Sequence, residues 1–111
     1  MPIDLIALAP AWKPNPGDII LGKIVRLAWN EGGKWGRYPI LTLQLEDGSY
    51  VAIHGASHAL KEQMMELRPK LGETAAFRDN GRKMGKNNRE YYSYTMQIDR
   101  PEDEPEAEFA W

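Results

Sequence analysis

Two stretches of this 111-residue chain combine positive charge with flat rings. Residues 78–89 hold Arg78, Arg82, Lys83, Lys86 and Arg89 against the single acid Asp79, and lead directly to Tyr91. Residues 29–38 hold Trp29, Lys34, Trp35, Arg37 and Tyr38 among Gly32, Gly33 and Gly36. Cations neutralise phosphates, and an aromatic face stacks a base for about 1–3 kcal/mol whichever base it is. Together these residue types suit a single-stranded nucleic acid. Each stretch also has a plainer reading, because a basic loop can be merely solvated and Trp29 can close a hydrophobic core. Trp35, set between Lys34 and Gly36, has less reason to be buried and is the better stacking candidate.

Other chemistry is weakly signalled. His54 and His58 are four apart, but the first ends a strand and the second opens a helix, so they do not share a face for a metal. The run Gly81-Arg82-Lys83-Met84-Gly85-Lys86 imitates a phosphate loop, yet it is one residue short and is followed by Asn87 instead of Ser or Thr. It also joins two strands where a helix should begin. Ser49, Ser57 and Ser93 lack the surroundings of a nucleophile, and the carboxylates are scattered or collected near residue 100. No catalytic constellation, metal or cofactor is therefore expected, and the chain reads as a non-enzymatic protein. The sequence has no cysteine, which fits a reducing cytoplasm. No apolar run approaches the ~20 residues of a membrane span, and Met1 to Pro10 lacks the pattern of a signal peptide.

These residues need elements to position them. Four prolines in residues 1–17 predict an extended arm, with Leu5, Ile6, Leu8 and Trp12 available for burial. The arm is expected to strap over the body, or alternatively to contact a second copy in a homo-oligomer. Asp18 to Trp29 reads as one long strand. Its apolar residues occupy one parity (Ile20, Gly22, Ile24) and then the other (Val25, Leu27, Trp29), which a strand cannot do without a bulge or bend, most easily at Gly22. A second strand, Tyr38 to Glu46, alternates Leu41, Leu43 and Leu45 with Thr42 and Gln44. Asp47-Gly48 signals a hairpin into a third strand, Tyr50 to His54, with Val51 and Ile53 inward. The outward set is then Ile40, Thr42, Gln44, Tyr50, Ala52 and His54. Ser57 can cap a helix running to about Arg68, with Leu60, Met64 and Leu67 on one stripe and Pro69 as its stop. Glu73 to Arg78 and Tyr91 to Ile98 complete five strands, joined by a basic loop over 79–90. Tyr92 and Tyr94 are expected inside, Tyr91 and Tyr50 outside. The fold class is therefore all-β with one short helix, in the order β-β-β-α-β-β. A set this short is expected to close into a barrel, which removes free edges; an open sheet with the helix on one face is the alternative.

Charge is divided along the chain. Residues 99–111 carry six acids and one base, net −5, which leaves 13 bases and 10 acids, net +3, for residues 1–98. A basic body suits a polyanion. The proline-broken acidic segment is expected to be a disordered tail, yet it contains Phe109 and Trp111, which solubility alone does not require.

The order of elements, with Gly22, Asp47-Gly48 and Pro69-Lys70-Leu71-Gly72-Glu73, resembles the OB-fold across residues 17–98. Trp35-Gly36-Arg37-Tyr38-Pro39-Ile40, Arg68-Pro69-Lys70-Leu71-Gly72 and Tyr91-Tyr92-Ser93-Tyr94 are similar to short OB-like proteins of actinobacteria and their phages. The acidic tail with its aromatic residues resembles that of single-stranded-DNA-binding proteins. The resemblance implies an arm (1–16), an OB-type barrel (17–98) and a partner-docking tail (99–111). It also implies sequence-tolerant binding of single-stranded DNA, in preference to RNA, in replication, recombination or repair. The implied interface is Trp29, Lys34, Trp35, Arg37, Tyr38, Gln44, Tyr50, Arg82, Lys83, Lys86, Arg89 and Tyr91. Phe109 and Trp111 would dock a replication or repair protein. The alternative is an OB-fold adaptor or an inhibitor of a host enzyme, with a protein as its target.

Overall fold

In the computed structural model, residues 4–31 and 36–99 are described. Five strands and one helix follow the expected order: β1 (Ile19–Asn30), β2 (Tyr38–Gln44), β3 (Tyr50–His54), α1 (His58–Leu67), β4 (Thr74–Met84) and β5 (Glu90–Asp99). All pairings are antiparallel within one sheet of order β3-β2-β1-β4-β5.

The central strand β1 explains the architecture. Ile19 to Lys23 pair with β4, and Lys23 to Asn30 pair with β2. The register slips between Ile24 and Arg26, so the inward parity changes from Ile20 and Ile24 to Leu27, as the apolar pattern predicts. The bend lies at this slip and not at Gly22. Gly22 serves a different need. A Cβ there would stand 2.7 Å from the Gln44 carbonyl oxygen and 3.0 Å from Leu43 Cβ, so only glycine lets β1 approach β2 this closely.

Ile20, Ile24, Leu41, Leu43, Ile53, Ala75, Phe77 and Met96 from the sheet meet Leu60 and Met64 of α1 in the core. The helix starts where Ser57 Oγ accepts the Leu60 N–H at 3.2 Å. It stops where Arg68 turns left-handed (φ 49°) and donates to the Met64 carbonyl, just before the buried Pro69. The hairpin at Asp47-Gly48 forms, with Leu45 N–H bonded to the Ser49 carbonyl at 2.8 Å.

The closed barrel does not form: β3 and β5 are the two edges of an open sheet. Midway along each edge, outward hydrogen-bonding groups are satisfied in other ways. Ala11 makes a parallel bridge with Ala52 of β3, in which Trp12 N–H and Ala52 N–H each donate over 2.8 Å. On the β5 edge, the Gln63 side-chain amide donates to the Tyr94 carbonyl and accepts from the Met96 N–H. Edge groups already paired give β3 and β5 no cause to pair with each other. The arm is thus a strap, and Trp12 packs on Phe77 with ring centroids 6.3 Å apart. Leu5 and Leu8, also expected to be buried, remain exposed.

Candidate functional site

The expected 79–90 loop is not a loop. β4 runs six residues beyond Arg78 and pairs with β5 as a two-stranded ribbon, with Arg82 opposite Tyr92, Lys83 opposite Tyr91 and Met84 opposite Glu90. Its root is a register slip between Asp79 and Arg82. There Gly81 takes φ +76°, and its N–H donates to the buried Asp79 carboxylate at 2.7 Å. The Asp79 backbone is clamped to Gly17 and Asp18 at 2.7 and 3.0 Å. Beyond the root β1 no longer covers β4, so the ribbon leaves the core. Tyr92, expected inside, is consequently 52% exposed, whereas Tyr94, one pair nearer the core, packs against it. Burial pushes the Tyr94 phenol above its ordinary pKa, with the Asp79 and Tyr92 charges adding to the effect. The ribbon turns through Lys86–Asn88, using positive φ at Asn87 and Asn88, a conformation asparagine tolerates.

Cations and rings share this ribbon. The Arg82 guanidinium lies 5.4 Å from the Tyr92 ring centroid and donates to the Tyr92 hydroxyl at 3.2 Å. It also faces Glu90 at 3.4 Å. The Tyr92 bond, then the Tyr92 and Glu90 charges, raise the Arg82 pKa further, so its charge is permanent. On the other face Lys83 is paired with Tyr91, whose ring stands beside Gly85. Lys83, Lys86 and Arg89 are exposed and make no ion pair among the described residues. Tyr91 and Met84 are exposed as well.

The residues before β2 are more committed. Arg37 sits 4.3 Å over the half-buried Trp29 ring and pairs with Glu31 at 3.1 Å, while its carbonyl accepts from Lys61 Nζ at 2.9 Å. Lys34 and Trp35 lie outside the described residues, as do Phe109 and Trp111 of the acidic tail.

Beside the Trp29–Arg37 segment, and across β1 from the ribbon, lies the outward face of β2 and β3. Cross-strand rows place Ile40 beside His54, Thr42 beside Ala52, and Gln44 beside Tyr50. Tyr38 and His54 share a 3.4 Å hydrogen bond with rings 5.9 Å apart. Burial holds the His54 imidazole below its ordinary pKa. Gln44 Nε2 donates to the Tyr50 hydroxyl at 3.4 Å. Thr42 and Ala52, expected to face solvent, are buried, Ala52 with the arm bridged to its edge at Ala11. Arg26 stands in the same row as Thr42. It and Tyr92 are the residues that sequence reasoning missed as candidates. Counting parity across the β1 bulge identifies Arg26, but nothing local reveals that β5 outruns the core at Tyr92.

The structure therefore brings Arg82, Lys83, Lys86, Arg89 and Tyr91 together on one element. It ties Trp29 and Arg37 into the far end of β1, and leaves Tyr38, Gln44 and Tyr50 half-buried on the β2–β3 face across β1 from the ribbon. Among the described residues no three His, Cys, Asp or Glu side chains group as metal ligands, and no helix is long and apolar enough to cross a membrane. Comparison with protein families, curated proteins and solved structures finds no match for this chain.

Proposed function

We propose that the chain binds single-stranded nucleic acid without sequence preference, DNA rather than RNA, as an opened relative of the OB-fold. The observation that carries this reading is the β4–β5 ribbon. Arg82, Lys83, Lys86 and Arg89 share it with exposed Tyr91 and Tyr92, outside the core. Exposed rings have an energetic cost in water that stacking on bases offsets, and unpaired cations gain by releasing the counterions of phosphates. The half-buried Tyr38, Gln44, Tyr50 and His54 face and the Trp29–Arg37 segment, extended by Lys34 and Trp35, would continue the track. In this reading the protein serves replication, recombination or repair in the cytoplasm of a bacterium or its phage, and Phe109 and Trp111 engage a partner of that machinery. The test is a titration of the full chain with labelled oligo-dT at two salt concentrations. Replacing Arg82, Lys83, Lys86 and Arg89 by Ser should weaken binding equally for all sequences. The log–log salt slope should also fall by roughly 0.7 for each phosphate that is no longer neutralised, with the melting temperature scarcely moved. Absence of oligonucleotide binding at low salt sinks the proposal. The second reading, a protein-binding adaptor, is favoured by exposed Ile19 and Leu21 on the sheet face below the ribbon.

A further inference from the structure

The outward face of β1, β4 and β5 below the ribbon carries two large exposed apolar side chains among polar ones. Ile19 and Leu21 are 66% and 60% exposed. They lie in adjacent cross-strand rows, Ile19–Arg78–Thr95 and Leu21–Ala76–Gln97. The small Ala76 side chain leaves the surface hollow. Two shallow grooves of about 250 and 310 Å³ meet at Ala76 and Gln97, one against Ile19 and the other against Leu21. Basic groups bracket them, with Arg78 beside Ile19 and Lys23 in the next row beyond Leu21. Neither is ion-paired among the described residues.

The chain itself contains a segment of matching chemistry. β5 delivers Asp99 to the rim of the larger groove, where it is paired with Thr74. Ten residues further on stands Phe109, followed at i+2 by Trp111, after Glu102, Asp103, Glu104, Glu106 and Glu108. Ten residues reach up to ~33 Å when extended, whereas crossing from β5 to β1 needs only two strand spacings, about 10 Å. In an extended peptide, residues i and i+2 point to one side about 7 Å apart. Ile19 and Leu21 are themselves two apart along β1, so the two grooves share that spacing. We propose that this face is the docking site of the chain's own Glu108–Trp111 segment, with one ring per groove and the acids drawn to Lys23 and Arg78. A short tether holds the segment at millimolar effective concentration, so a weak site is enough to be occupied. This contact does not depend on nucleic-acid binding and leaves the ribbon free, and a partner that engages Phe109 and Trp111 has to displace them from this face.

The test compares the full chain with its Phe109→Ser/Trp111→Ser variant by amide NMR from 20 µM to 1 mM. Amide shifts should change at Ile19, Leu21, Ala76 and Gln97 and not in the ribbon, independently of concentration. Leu21→Asp in the otherwise intact chain should move the Trp111 indole resonance, assigned by its loss in a Trp111→Ser variant, to the free-peptide position. Leu21 is exposed, so this change spares the core. Unchanged face amides, changes located in the ribbon, or a Trp111 signal indifferent to Leu21→Asp each overturn the proposal. Shifts that grow with concentration overturn it in favour of a contact between copies.

Discussion

β4 belongs to two regions that obey different rules. From Thr74 to Arg78 it lies between β1 and β5, and its residues alternate between a closed core and an outer surface. From Arg82 to Met84 it is paired on one side only, and each face sets a cation opposite a ring, Arg82 with Tyr92 and Lys83 with Tyr91. The change occurs at Asp79 and Gly81, where a buried carboxylate holds the glycine N–H and Gly17 and Asp18 clamp the Asp79 backbone. Hydrogen bonding continues through this joint while burial stops. A strand can thus be extended by its partner, its turn and its cross-strand pairs with no core beneath it. What it then displays is available for something other than folding.

The comparison predicts a hierarchy of effects. Phe77 lies fully buried on the core side of the joint, in contact with Trp12. Phe77→Ala should cost about 3–5 kcal/mol in urea unfolding. A cost comparable to that of a surface substitution would mean that the sheet body is not the stabilising region. Next is Gln63→Leu, which keeps the side chain's bulk but leaves the Tyr94 carbonyl and Met96 N–H without their partner. It should cost about 1–3 kcal/mol and speed hydrogen exchange at Met96. Unaltered exchange there would show that the β5 edge is protected in some other way.

Thr42 sharpens the contrast from the opposite direction. Its hydroxyl is buried with no partner among the described residues, so Thr42→Val should raise stability by about 1 kcal/mol. A destabilised variant would point to a hidden acceptor. The smallest effect belongs to His54. Burial lowers its folded pKa below the ordinary 6.5, so below that pH the unfolded chain takes up a proton that the folded chain resists. The resulting stability is complete above pH 6.5 and declines as pH falls toward the depressed folded value. In parallel melts His54→Gln should lose less stability than the parent over that interval, and equal losses would remove His54 as the cause.

Much of this molecule could be read in advance because its signals are local. The order of elements along the chain, the Asp47-Gly48 hairpin, the Ser57 cap and the Leu60–Met64 stripe depend on near neighbours, and each forms as expected. The parity change in β1 belongs to this group, since period-2 alternation makes a bulge visible as a break in the pattern. The cluster of cations around residues 82–89 was equally plain, although its form was not.

What the sequence could not decide was which edges meet. Closure of the sheet was a reasonable inference from the cost of open edges. The fold meets that cost with Pro10, Ala11 and Trp12 on β3 and with one glutamine side chain on β5. The positions of Tyr92 in solvent and of Thr42 out of it have the same origin, because parity assigns a face to a residue but not what lies over that face. Composition and periodicity therefore determined the elements and their chemistry. Tertiary contact alone decided where the sheet stops, where the ribbon leaves the core and which rings remain exposed, because each depends on pairing between segments far apart in the chain.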